Sequence, residues 1–229
     1  MRTLTIFAAG ICVLTGSMDA QDAKPTTDIQ KISYSLGADI GRNFRLQEMQ
    51  LDVDMMARGI RDGFGGGERQ LTDEEIEKTI EAFQEVMMEK AKQKAMAASY
   101  DNRKIGEEFL AVNKAKEGVV ELPSGLQYKV LKEGKGPRPV ATDQVTVHYR
   151  GTLLDGREFD SSYRRNEPTT LRLDKFIPGW IEGLQLMSVG SKYQFFIPSS
   201  LAYGDRQMGP DITPGSTLVF EVELLDVKK

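Results

Sequence analysis

Apolar positions along this chain follow two different rhythms. From Asp28 onward Ile29, Ile32, Leu36 and Ile40 fall three and four apart, the spacing that places side chains on one face of a helix. The pattern predicts a second short helix over Val53 to Phe64, ended by Gly65-Gly66-Gly67. A third starts after Leu71, where Thr72 or Asp73 can cap it and the acids Asp73, Glu74 and Glu75 suit the helix dipole. It meets no proline before Lys116, and Gly106 is its one interior glycine. Its apolar residues gather at the ends, Ile76, Ile80, Phe83 and Met87 at one and Ile105 and Phe109 at the other. Between them stand Ala91, Ala95 and Ala98, which predicts a solvated rod joining two packed regions. The methionines Met55, Met56, Met87 and Met88 read first as core filler and second as an adaptable binding face.

After Gly118 the period falls to two. Leu126, Tyr128 and Val130 share a face, as do Val145, Val147 and Tyr149; Tyr193, Phe195 and Ile197; and Leu218, Phe220, Val222 and Leu224. Turn residues separate these runs: Gly134-Lys135-Gly136-Pro137, Asp155-Gly156, Gly209-Pro210 and Pro214-Gly215. One short helix fits, near Gly179 to Met187. The expected class is therefore α+β: a C-terminal antiparallel β half-barrel wrapped round a short helix, preceded by an all-α N-terminal module with a long connecting helix. The expected divisions are residues 1–20, a polar leader at 21–27, a helical module at 28–117 and the β domain at 118–229.

The first twenty residues change the picture of where the chain works. Arg2, an apolar stretch from Leu4 to Gly16, and small or polar residues to Ala20 have the order of a secretory signal. The competing readings are a frayed helix and a lipoprotein leader with Cys12 as first mature residue, which the bulky Ile11 before it disfavours. An exported, periplasmic location is expected, with outer-membrane association as the alternative. Cys12 is the only cysteine and His148 the only histidine, so a mature chain lacks thiol chemistry and disulfides and is poorly supplied for a metal. No cofactor is implied. The net charge of -4 gives no basic field for nucleic acid.

The β domain offers no nucleophile with an ordered base, and Gly65-Gly66-Gly67 lacks the Lys-Ser/Thr of a phosphate loop. It is instead rich in aromatic residues, Tyr149, Phe159, Phe176, Tyr203 and Phe220 around the lone Trp180, any one of which alone reads as core. In order and spacing the runs Val145–Gly151, Gly156–Ser162, Phe176–Gly183, Pro198–Gly204 and Ile212–Leu224 resemble the FKBP-type peptidyl-prolyl cis-trans isomerases. The helical half resembles the N-terminal dimerisation domain of the bacterial Mip/FkpA-like branch.

The resemblance implies an apolar pocket for a substrate prolyl ring. Trp180 is its expected floor, and Tyr149, Phe159, Phe176, Ile177 and Phe220 its walls, with Ile212 also binding substrate. The Ile177 N–H and the Tyr203 hydroxyl are expected to donate to substrate carbonyls, and Asp160 to orient polar groups at the rim. Asp160, Tyr203 and Phe220 are the expected catalytic residues. The plainer roles stay open: Asp160 capping the Ser161-Ser162 turn, Tyr203 packing a loop, and His148, on the opposite strand face, purely structural. Two positions depart from the family pattern: Leu171, near where relatives place a pocket phenylalanine, and Asp211, at a flap position that is often apolar.

The expected activity is cis-trans isomerisation of Xaa-Pro bonds in exported, unfolded polypeptides, with chaperone activity; the alternative is a non-catalytic dimeric holdase. The resemblance also implies FK506- or rapamycin-type macrolide binding and a V-shaped homodimer with two pockets facing a shared cleft. Residues 118–229 alone are expected to be a folded, active monomer.

Overall fold

The computed structural model describes residues 24–66 and 69–229; the expected signal segment and Cys12 lie outside these. Helix α1 spans Asp28–Leu46 and opens on a capping box, Thr27 accepting from the Gln30 N–H while the Gln30 side chain accepts from the Thr27 N–H. Helix α2, Val53–Gly65, is capped by Asp52, which accepts from the Met55 N–H at 2.9 Å. It stops where Gly66 turns left-handed (φ 62°), a conformation a side chain would disfavour. Not one residue of α1 or α2 is buried. Helix α3 runs over Asp73–Asn113. No helix among the described residues is long and apolar enough to cross a membrane.

Two compact units divide after Asp73, so α3 goes with the second, Glu74–Lys229. The sequence pattern places a boundary at 117/118 because it sees only apolar spacing. The residues of α3 buried in this unit are Ser99, Gly106 and Asn113, seven apart and none of them hydrophobic. At Gly106 a Cβ would collide with Thr217 Oγ1, so the helix lies directly on the loop before the last strand. Asn113 donates to the fully buried Gln127 at 3.0 Å, and Gln127 in turn donates to the Leu110 carbonyl at 2.9 Å and to Glu121 at 2.8 Å. The buried amide of Gln127 is thereby matched at both its nitrogen and its oxygen, as burial requires. Phe109 packs on Phe196, ring centroids 5.9 Å apart. The second half of α3 is thus a docked helix.

The rest of the unit is one antiparallel sheet, β1 (Val119–Glu121), β2 (Gln127–Lys132), β3 (Gln144–Leu153), β4 (Glu158–Ser161), β5 (Thr169–Arg172), β6 (Lys192–Ile197) and β7 (Leu218–Lys228). The strand order is β1-β2-β6-β7-β3-β4, with β5 also pairing on β3. Long β3 shares its free edge, β5 along Gln144–Val147 and β4 along Arg150–Thr152. Helix α4 (Ser162–Arg165) follows β4, and α5 (Pro178–Leu184) crosses the sheet's inner face. Pro178 at its start fits the expected helix start; it ends at Leu184, short of Met187, because the Leu186 and Met187 amides reach back only three residues in a tighter turn. Gly179 and Gly183 let it settle on β6: a Cβ at either would stand 2.5 Å from Ile197 or 2.6 Å from Phe195. The core is the alternating inner face, Val145, Val147, Phe195, Ile197, Leu218, Val222 and Leu224, closed by Leu184 and Met187. The observed architecture is that of the expected α+β class.

Candidate active site

One end of that core is left open. Trp180, on the first turn of α5, is 3% exposed and forms the floor of a cavity of about 380 Å³. Tyr149 and Phe220 meet its ring edge-on, at 5.3 Å and 84° and at 5.2 Å and 85°. Phe176 stacks on it at 4.7 Å, and Phe159 stands edge-on to Phe220 at 5.5 Å. These are the offsets that aromatic quadrupoles favour, so the rings support one another in the cage. Gly151 of β3 makes room for it, since a Cβ there would fall 2.6 Å from Phe159 and 2.7 Å from Phe220. A larger groove of about 710 Å³ runs along α3, but its lining of Lys92, Ala95, Arg103 and neighbours forms no such cage.

The polar rim is built around Asp160. The Tyr149 hydroxyl donates to its carboxylate, Arg165 pairs with it, and the Ser161 N–H donates to it at 2.8 Å. Arg165 also donates to the Tyr149 hydroxyl at 2.9 Å, closing a three-residue ring. Burial pushes the Asp160 pKa up, but the hydroxyl and the guanidinium outweigh it and hold the carboxyl below its ordinary range. Burial, then the bond to Asp160, raises that of Tyr149. Tyr203 is also raised, by burial first and the Asp160 charge second, so it remains a protonated donor at neutral pH. The Ser162 hydroxyl pins the backbone of Tyr149, accepting from its N–H at 2.7 Å and donating to its carbonyl at 3.2 Å.

Two donors in the cavity wall have no acceptor among the described residues. The Ile177 N–H precedes the first turn of α5, and the Tyr203 hydroxyl projects from the loop after β6. The Trp180 Nε1 is a third donor without a partner, but it is buried beneath the ring cage.

The structure brings together Tyr149, Phe159, Asp160, Phe176, Ile177, Trp180, Tyr203 and Phe220 in one cavity wall. Ile212 is not in that wall; it is buried (7% exposed) and bridged to Met208 across the neighbouring loop. Leu171 lies on β5 and is 40% exposed, and Asp211 pairs with Arg157 at 3.5 Å. His148 accepts or donates at Ser162, 2.9 Å away, and stacks on Tyr163 on the outer face. Sequence reasoning missed Lys175, Pro178, Ala202 and Arg206 in the wall, and Arg165 behind it.

Comparison with known proteins agrees over the whole described chain. Residues 136–225 match the family described as FKBP-type peptidyl-prolyl cis-trans isomerase, and residues 29–130 the domain amino terminal to it. The chain is 43% identical to the outer membrane protein MIP of Legionella longbeachae over 100% of its own length and 98% of that protein's. It is 46% identical to the FKBP-type peptidyl-prolyl cis-trans isomerase FkpA of Aeromonas hydrophila, covering 92% of this chain and 81% of that one. The crystal structure of FkpA from Escherichia coli superposes with a TM-score of 0.69 at 43% identity, over 89% of this chain and 98% of that one. With the cage, the free donors and both halves matched, the chain belongs to the FKBP-type peptidyl-prolyl cis-trans isomerases and is an enzyme of that activity.

Proposed function

We propose that the aromatic cavity is where isomerisation takes place and that the substrate prolyl ring sits on Trp180. The observation that carries this is the pairing of a preformed apolar cage with two unspent donors, Ile177 N–H and Tyr203 hydroxyl. An Xaa-Pro bond rotates slowly because resonance gives its C–N bond double-bond character, a barrier of about 20 kcal/mol. The planar amide is more charge-separated than the twisted one, so an apolar wall disfavours the former. Donors that reach substrate carbonyls on the twisted conformer stabilise it selectively. A barrier lowered by about 7 kcal/mol gives roughly a 10⁵-fold acceleration. Asp160, saturated by Tyr149, Arg165 and Ser161, acts as a fixed negative charge beside the amide, holding the Tyr149 ring in place. No proton transfer or covalent step is needed. In a protease-coupled assay on a short Xaa-Pro peptide, Tyr203→Phe is expected to lower kcat/KM about tenfold at unchanged thermal midpoint. An unchanged kcat/KM would remove the hydroxyl from the reaction.

The clients are proline-containing, unfolded polypeptides outside the cytoplasm. Supporting this are the signal-like order of residues 1–20 and the relative named as an outer membrane protein. N-terminal sequencing should find the mature chain beginning near Gln21; Met1 from a cytosolic fraction would refute export. The same cage suits the ring of an FK506- or rapamycin-type macrolide, which should compete with the peptide. A homodimer through the N-terminal helices covers the apolar side chains that α1 and α2 leave exposed, among them Ile29 (78%), Ile32 (60%), Leu36 (61%) and Phe64 (95%). That paired face also supports a chaperone role alongside catalysis.

A further inference from the structure

Three side chains from the second half of α3 converge on a single loop. The Ser99 hydroxyl donates to the Asp205 carboxylate, and Arg103 pairs with the same oxygen. Asn102 Nδ2 donates to Thr213 Oγ1 at 2.8 Å and to the Pro214 carbonyl at 2.7 Å. Between these, Gly215 adopts φ +78°, and a Cβ on it would collide with the Ser99 carbonyl. The Gly215 N–H donates to the Gly204 carbonyl at 2.8 Å. The helix therefore grips both ends of the segment 204–215, where the ends touch each other.

Tyr203 immediately precedes this grip. Among the described residues no side chain holds its hydroxyl, so its place is set by its backbone. That backbone runs from Ala202 at the sparsely populated φ -114°, ψ -115° into left-handed Gly204 at φ 60°. The Ala202 and Gly204 N–H groups both donate to the Ser199 carbonyl (3.0 and 2.9 Å), and the Arg206 N–H donates to the Tyr203 carbonyl (3.2 Å), bracing it from within the loop. To these α3 adds side-chain hydrogen bonds at the loop's base, on Asp205, Thr213 and Pro214. A hydrogen bond to a developing twisted amide is sensitive to displacements on the order of 1 Å, so a slack base would move the hydroxyl out of range.

We propose that Ser99, Asn102 and Arg103 of α3 are positioning residues for the Tyr203 hydroxyl, making the connecting helix a working part of the isomerase site. This rests on the reading of Tyr203 as a donor to substrate. The groove beside the contact, lined by Ala95, Met96, Tyr100 and Asp205, leaves the grip reachable from solvent. Whatever shifts α3 along its axis would thus alter catalysis without touching the cavity.

The test is a thermodynamic cycle on the full-length chain. Asn102→Ala/Arg103→Ala is expected to lower kcat on a short Xaa-Pro peptide about fivefold, with KM changed less than about twofold. Arg103→Lys, which keeps the charge, should stay within about twofold of the parent. In a Tyr203→Phe background the Asn102→Ala/Arg103→Ala pair should cost almost nothing further, because the group it positions is gone. All assays are run where circular dichroism shows every variant folded. A full fivefold loss persisting in the Tyr203→Phe background would overturn the proposal, since the helix would then act on the fold at large. If Tyr203→Phe alone is silent, the donor reading falls, and this proposal with it. A silent Asn102→Ala/Arg103→Ala pair beside an impaired Tyr203→Phe overturns this proposal alone.

Discussion

Phe220→Ala is expected to cost both stability and catalysis, by about 3–5 kcal/mol of folding free energy and roughly 100-fold in kcat/KM on a short Xaa-Pro peptide. Phe220 sits on β7, hydrogen-bonded on both sides to β3 and β6, and is 5% exposed. Its ring is the shared neighbour of Trp180, Phe159 and Tyr149, at 5.2, 5.5 and 6.3 Å. Truncation empties space that the surrounding sheet cannot fill and lets water into the cage, which removes the apolar wall that disfavours the planar amide. Because one residue serves both purposes, it must be compared with two others. Asp160→Ala, on a rim that is part exposed, should lose at least about tenfold in kcat/KM with a much smaller shift of thermal midpoint. His148→Ala, whose ring touches Ser162 and Tyr163 on the outer face, should stay within about twofold. If the three activities instead fall in proportion to the three thermal midpoints, the aromatic cluster is core and the active site lies elsewhere.

What the sequence displays and what it hides divide along a physical line. Alternation at 145–149, 193–197 and 218–224 marks β3, β6 and β7, because those strands have one face fully buried. The short strands β1, β4 and β5 carry no such alternation, since they bury no hydrophobic residue (only Ser161 of β4 is buried), and pairing alone makes them strands. In α3 the apolar residues were a mixed signal: Phe109 does pack, on Phe196. Ile105 is 55% exposed, while the face that docks is Ser99, Gly106 and Asn113, chosen for small size and hydrogen bonds. A hydrophobic pattern cannot register such a contact. The cage residues were legible because five ordered runs place them. Arg165, Lys175 and Arg206 were not, because a cation at a rim looks like any solvated surface charge until the loops are folded. Ile212 is the one expected site residue that lies outside the cavity wall, buried and bridged to Met208.

A fragment starting at Ala95 and one starting at Gly118 are expected to behave very differently, although both contain the whole β sheet. Cutting at Gly118 removes Phe109 from the otherwise buried ring of Phe196 (7% exposed). It deprives buried Gln127 of its Asn113 and Leu110 partners. It also frees Asp205, Thr213 and Pro214 from α3. A buried amide left unsatisfied costs about 1–3 kcal/mol, and loss of an aromatic contact adds to it. Residues 118–229 should therefore melt well below residues 95–229 and show reduced kcat on a tetrapeptide. Residues 95–229 should be a monomer with near-full tetrapeptide activity. The full chain should be a dimer by light scattering, because α1 and α2 bury no residue of their own and two helices of that kind do not hold a fold unaided. On a whole unfolded protein the full chain should surpass residues 95–229, since two linked sites raise the effective concentration of the second. A 118–229 fragment as stable and active as 95–229 would reduce the docked helix to a passive contact. A monomeric full chain, or a 95–229 fragment equal to it on the protein substrate, would leave the N-terminal helices without the role given them here.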